Sequence, residues 1–136
     1  MNAVVDTNVI AYQLLGTEEF HAETTAFWAR VNTPLAPALW EAEISNVIWM
    51  SARQDYIDEI EAVRRLGDAG RLGIRSVSSR SLWHGALVRS TKSDVSPYDT
   101  LFVELAARER LPLATYDRRL LERFPEIAVA PSELIA

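Results

Sequence analysis

Short apolar runs alternate with longer segments of helical period along this chain. Ala3-Val4-Val5 is a continuous apolar run that stops abruptly at Asp6, the pattern of a strand buried on both faces. A helical period follows through Val9, Ile10 and Leu14, and a second helix is predicted from about Glu18 to Val31. Pro34 to Pro37 brackets a very short extended piece, and Ala38 to Arg53 reads as a strong helix. Asp55 to Gly70 is predicted as another, with Glu59, Glu61, Arg64 and Arg65 as its solvated face. Ile74 to Val77 alternates like a strand, Ser81 to Thr91 is helical again, and Lys92 to Ser96 is a polar loop. Ser96-Pro97 opens a helix that reaches Arg110, because Pro is favoured at the first helical position. Leu113-Ala114-Thr115 is a strand, Asp117 to Phe124 a short helix, and Ile127-Ala128-Val129 a last strand.

Strands alternating with helices, without an internal repeat or a Pro/Gly/Ser linker, predict one helix-rich α/β domain over residues 1–136 with a mainly parallel sheet. In such open sheets ligands bind beyond the carboxyl ends of the strands, where strand order reverses. The residue just after each strand therefore becomes a candidate.

Asp6 follows the first strand and Asp117 stands two residues past Leu113-Ala114-Thr115. Either could serve only as a helix N-cap. Two strand-end aspartates of one parallel sheet nevertheless lie on the same edge of the molecule. Asp99, the third residue of the helix opened by Pro97, suits a first turn through the helix dipole, and helix N-termini in this architecture also face the ligand crevice. At 100° per residue from Trp40, Ile44 falls at about +40°, Val47 at about −20° and Ile48 at about +80°, which makes a core stripe. Glu43 lies at about −60°, on one shoulder of that stripe; Glu41 lies at about +100°, on the other. A carboxylate beside a buried face is less expected than one opposite it, so Glu43 joins the candidates and Glu41 does not.

Four carboxylates in one crevice would repel strongly. At ~6 Å and an effective dielectric of ~20 each pair costs about 3 kcal/mol, on the order of 15 kcal/mol over six pairs. Convergence requires protonation, Arg or Lys neighbours, or divalent cations, and oxygen-only ligation suits Mg²⁺ or Mn²⁺.

Composition narrows the classes further. The 136 residues are 49% hydrophobic and 24% charged, a globular balance that excludes a disordered or fibrous chain. Zero cysteines exclude disulfides, thiolate metal sites and a cysteine nucleophile. No apolar stretch approaches a membrane span and Met1-Asn2-Ala3 lacks a basic secretory start, so a cytoplasmic protein without a membrane partner is expected. The net charge of −5 is uneven. Residues 1–63 hold ten acids against Arg30 and Arg53, for −8, whereas residues 64–136 hold nine acids against twelve Lys and Arg, for +3. An acidic half and a mildly basic half can combine a carboxylate site with a phosphate-tolerant rim, or be two ordinary solvated surfaces.

The order of four segments carries a resemblance: Val4-Val5-Asp6-Thr7-Asn8, then Glu43-Ile44-Ser45-Asn46, then Tyr98-Asp99-Thr100-Leu101-Phe102 running into Leu105-Ala106, then Thr115-Tyr116-Asp117-Arg118-Arg119-Leu120. Together they resemble the PIN-domain ribonucleases, and within them the VapC toxins of prokaryotic toxin–antitoxin pairs, over essentially the whole chain. The resemblance implies a three-layer α/β/α fold and a catalytic, metal-binding cluster at Asp6, Glu43, Asp99 and Asp117, with Asn8 and Thr115 as accessory polar groups. It also implies Mg²⁺- or Mn²⁺-dependent endoribonuclease chemistry that leaves a 5′-phosphate and a 3′-hydroxyl, and an RNA substrate. Inhibition by a VapB-like antitoxin laid in the acidic groove, and a homodimer, are implied as well.

Other residues have simpler readings. His21 and His84 have no metal-ligand spacing, and Asp94 reads as a turn former. Arg118 and Arg119 are either solvated helix charges or phosphate contacts. Trp49, at 180° from the core stripe, suggests an intermolecular surface. Two alternatives stand beside the nuclease. A haloacid-dehalogenase-like phosphatase also puts Asp after its first strand, but needs a second Asp where Asn8 stands and a catalytic Lys where only Lys92 is available. A catalytically inactive PIN-like interaction domain is the non-enzymatic reading.

Overall fold

The computed structural model describes residues 1–136. Its centre is a five-stranded, wholly parallel sheet in the order β3-β2-β1-β4-β5, built from β1 (Asn2–Val5), β2 (Thr33–Pro37), β3 (Arg75–Val77), β4 (Leu113–Ala114) and β5 (Ala128–Val129). Ala3, Val4 and Val5 are fully buried, as a central strand covered on both faces demands. Eight helices surround the sheet: α1 (Thr7–Leu15), α2 (Glu18–Arg30), α3 (Leu39–Arg53), α4 (Glu59–Gly70), α5 (Ser79–Ser93), α6 (Pro97–Glu109), α7 (Arg118–Arg123) and α8 (Pro131–Leu134).

The helices form two groups, giving the helix-rich α/β/α sandwich expected from the sequence. On one side α1 packs against α2, α3 and α4; on the other α6 lies across β1, β2 and β4 with α5 packed against it. The chain winds outward from β1 through β2 to β3, then crosses to the other side of β1 for β4 and β5. The reversal falls between β1 and β4, and the crevice at their carboxyl ends is where the fold puts a ligand.

The α3 stripe is as the angular arithmetic gives it: Trp40, Ile44 and Ile48 are buried, and Trp49 is 54% exposed. Several boundaries move for local reasons. Helix α4 begins at Glu59 rather than Asp55, because Asp58 takes the cap, its side chain accepting from the Glu61 amide at 2.8 Å, and Asp55 has φ +61°. Helix α5 runs into the expected polar loop as far as Ser93, stopped by Asp94 at φ +59°. Helix α8 was not expected from the pattern; Pro131 opens it and it packs against α2.

Of the solvated face expected on α4, Glu59 and Arg64 are exposed, and Glu61 and Arg65 are a correction. Glu61 and Arg65 are only half exposed, paired at 2.9 Å, and Arg65 donates to the Leu14 carbonyl at 2.8 Å, an acceptor freed at the end of α1. Helix α4 therefore docks partly through a polar stripe, while Ile60, Val63 and Leu66 remain 74%, 68% and 45% exposed.

Candidate active site

Asp6 leaves β1 in extended conformation and caps α1, its Oδ1 accepting from the Thr7 amide at 2.8 Å. Its Oδ2 accepts from the Thr115 hydroxyl at 2.7 Å and from the Asn8 amide at 3.4 Å. Asp117 caps α7 through the Arg119 and Leu120 amides, and its own N–H donates to the Thr115 hydroxyl at 2.9 Å. Thr115 thus ties the ends of β1 and β4 together. Asn8 reinforces the tie: its Nδ2 also reaches the Thr115 hydroxyl at 3.4 Å and its Oδ1 accepts from the Tyr116 amide at 3.2 Å.

Glu43 enters from the shoulder of α3, where the Thr7 hydroxyl donates to its Oε1 at 2.8 Å. Asp99 enters from the first turn of α6. The four acids feel one another. Burial, with further repulsion from Asp99 and Glu43, pushes the Asp6 carboxyl up from 3.8 to about 7, although Thr115 and Thr7 pull the other way. Glu43 is raised by burial and by Asp99, against the Thr7 hydrogen bond; Asp99 is raised by burial and by Asp117, with Arg119 opposing. Asp99 is therefore electrostatically coupled to each of the other three.

No group of three His, Cys, Asp or Glu side chains stands in metal-ligating geometry. The acids stand near enough to repel one another without closing on one point, and hydrogen bonds already occupy both Asp6 oxygens and one oxygen each of Glu43 and Asp117. The donor set is nonetheless all oxygen, partly buried and crowded with negative charge, which suits a hard divalent cation and no soft one.

Neighbouring residues sort clearly. Glu41 is exposed on the other side of α3, and Asp94 is an exposed helix terminus whose carbonyl accepts from Arg119. Lys92 lines a cleft with His84, Arg89 and Glu104 that includes none of the four acids. Two features escaped the sequence pattern. Thr7, directly after Asp6, positions Glu43 through its hydroxyl. Glu104 is a buried acid outside the crevice, held by Arg89 at 3.0 Å and Arg108 at 2.9 Å.

A doubly wound parallel sheet with acids gathered at the β1/β4 switch point defines the class, and the PIN domain family model matches residues 3–127. The chain belongs to the PIN domain family. It is 29% identical over 130 residues to Ribonuclease VapC3 of Pyrobaculum aerophilum, covering 93% of this chain and 98% of that one. Its fold is similar to the crystal structure of PAE2754 from Pyrobaculum aerophilum, with a TM-score of 0.75 and 18% identity over 99% of this chain and 93% of the other.

Proposed function

We propose that the chain is a Mg²⁺- or Mn²⁺-dependent endoribonuclease toxin of the VapC type, acting through Asp6, Glu43, Asp99 and Asp117. The observation that carries this reading is the placement of Asp6 and Asp117 at the ends of β1 and β4, tied through the Thr115 hydroxyl, with Glu43 brought beside Asp6 by Thr7; the repulsion that raises Asp6, Glu43 and Asp99 accords with it. Carboxylates held at the expense of such repulsion are commonly functional. The likeness to Ribonuclease VapC3 supports RNA as substrate.

In this reading Asp6, Glu43, Asp99 and Asp117 would together hold the cation. A divalent ion bound there would supply activation of water for attack on a phosphodiester and neutralise charge on the phosphate. Thr115 holds Asp6 in position and also fixes the Asp117 backbone. Thr7 orients Glu43, and Asn8 braces the two strand ends. Arg119, whose charge reaches Asp99, offers the basic rim for a neighbouring phosphate.

The reading extends to partners. The outward apolar stripe of α4, with Trp49 of α3, borders a cleft of about 440 Å³ that includes Ile57, Val63 and Leu66, and supports a homodimer. An antitoxin segment bearing Arg would be drawn to the acidic crevice and block it. The test is incubation of single-stranded RNA with the purified chain in Mg²⁺, Mn²⁺ or EDTA. Cleavage in either metal, absent in EDTA and leaving 5′-phosphate ends, is the expected result; metal-independent cleavage or none contradicts the proposal. No helix is long and apolar enough to cross a membrane.

A further inference from the structure

Beside the acids a cavity of about 370 Å³ opens between α1 and α3. Each helix contributes side chains at i, i+3 and i+4: Asn8, Ala11 and Tyr12 from α1, and Glu43, Asn46 and Val47 from α3. Its chemistry differs from that of the crevice. No Lys or Arg lines it and its one formal charge is Glu43, so it repels a phosphate. What it offers is an aromatic ring, two small apolar walls and amide groups.

Tyr12 is held firmly. Its ring stacks on Phe20 with centroids 4.4 Å apart and an interplanar angle of 13°, and leans on Tyr116 at 5.2 Å. Tyr116 is in turn anchored by its hydroxyl donating to Glu23 at 2.5 Å. Asn46 is the reverse: it is exposed, and its amide makes no hydrogen bond within the chain, whereas Asn8 is committed to Asp6, Thr115 and Tyr116. A fixed ring and an uncommitted amide over a cavity that carries no cation match an uncharged planar group with donors and acceptors on its edge.

We infer that this cavity is a nucleobase subsite, taking one unpaired base of the RNA next to the scissile phosphate, with Tyr12 as the stacking surface and Asn46 reading the base edge. The inference rests on the ribonuclease reading, because Glu43 lines both the cavity and the crevice and so fixes the base beside the cut. An Asn amide bonds a base edge through paired donor and acceptor, and base–aromatic stacking tolerates any base, so Asn46 is the specificity-determining residue and Tyr12 the general one.

The test uses single-stranded RNA oligonucleotides of one sequence in which an abasic residue is walked across the cleavage position. For the wild type, an abasic residue at one position adjoining the cut is expected to lower kcat/KM about tenfold, in line with loss of one base contact. Asn46→Ala, an exposed change that leaves folding intact, should lower kcat/KM about tenfold on the intact RNA and flatten the base preference at that same position. Tyr12→Leu should weaken cleavage whichever base is present there. A second readout is fluorescence anisotropy of the labelled oligonucleotides on Asp6→Asn protein, where removing Asn46 should narrow the difference in Kd between intact and abasic RNA severalfold. An unchanged base preference in Asn46→Ala, or no abasic penalty at any position adjoining the cut, overturns the subsite while leaving the nuclease intact. A wild type that cleaves no RNA in either metal overturns the nuclease reading, and the subsite falls with it.

Discussion

The Thr115 hydroxyl lies 2.7 Å from Asp6 Oδ2, across 109 positions of sequence, and joins the ends of the two strands between which the sheet reverses. That one hydroxyl donates to Asp6 while accepting from the Asp117 amide, so it sets two of the four acids at once. Thr115→Val should leave the buried Asp6 carboxyl short of a donor and the half-buried Asp117 amide short of an acceptor, destabilising the fold by about 1–3 kcal/mol. Thr115→Ser should recover most of it. Urea denaturation of the three proteins measures the difference.

The pH dependence of stability follows from Asp6. Its folded pKa of about 7 lies above the ordinary 3.8, so the folded chain holds a proton that the unfolded chain has released. The associated stability is complete below about pH 4 and is lost as pH rises through 7, on the order of 4 kcal/mol for Asp6. Metal-free protein should therefore melt at a lower temperature at pH 8 than at pH 5.5. Asp6→Asn should flatten that slope, and millimolar Mg²⁺ or Mn²⁺ should raise Tm at pH 8. Equal slopes in wild type and variant would contradict the burial of Asp6 as an acid.

Gly85 explains how α5 and α6 approach so closely. A Cβ built there would meet the Glu104 carboxylate, with its oxygens at 2.5 and 2.6 Å, while Arg89 and Arg108 hold that carboxylate in place. Gly85→Ala should gain helix propensity yet lose more by displacing a paired, buried acid, for a net loss of about 1–3 kcal/mol in thermal unfolding. RNA cleavage, measured well below the new Tm, should change little, since Glu104 lies outside the crevice.

Much of the site was legible because its signals are local. Asp6 and Asp117 follow apolar runs, Asp99 sits behind Ser96-Pro97, and the period of α3 separates Glu43 from Glu41. What the sequence did not disclose depends on distant partners. The Thr7 hydroxyl gains its role only when α3 lies beside α1, and Thr115, already a candidate through the resemblance, gains its particular partners in Asp6 and the Asp117 amide only when β4 lies beside β1. The inward turn of Glu61 and Arg65 depends on the free Leu14 carbonyl, which no periodicity in α4 reveals.

The apolar residues that α4 leaves outward lead to an expectation about assembly. Trp49, Ile60 and Val63 are each more than half exposed, a larger apolar surface than scattered residues would make. Light scattering at tens of micromolar should report a dimer, and Trp49→Ala should shift it toward monomer by at least about tenfold in Kd. A wild-type monomer at that concentration would contradict the assignment of this face.

The most direct measurement compares two glutamates two residues apart on α3: kcat/KM for RNA cleavage in Mg²⁺ by Glu43→Gln and by Glu41→Gln. Glu43 faces the crevice with its carboxylate held by Thr7, and Glu41 is exposed on the opposite shoulder. Glu43→Gln should lose at least about a hundredfold, as when other electrostatic catalytic groups are removed, and Glu41→Gln should stay within about twofold of the wild type. Equal losses in both, or full activity in Glu43→Gln, would contradict a site made by the four converging carboxylates.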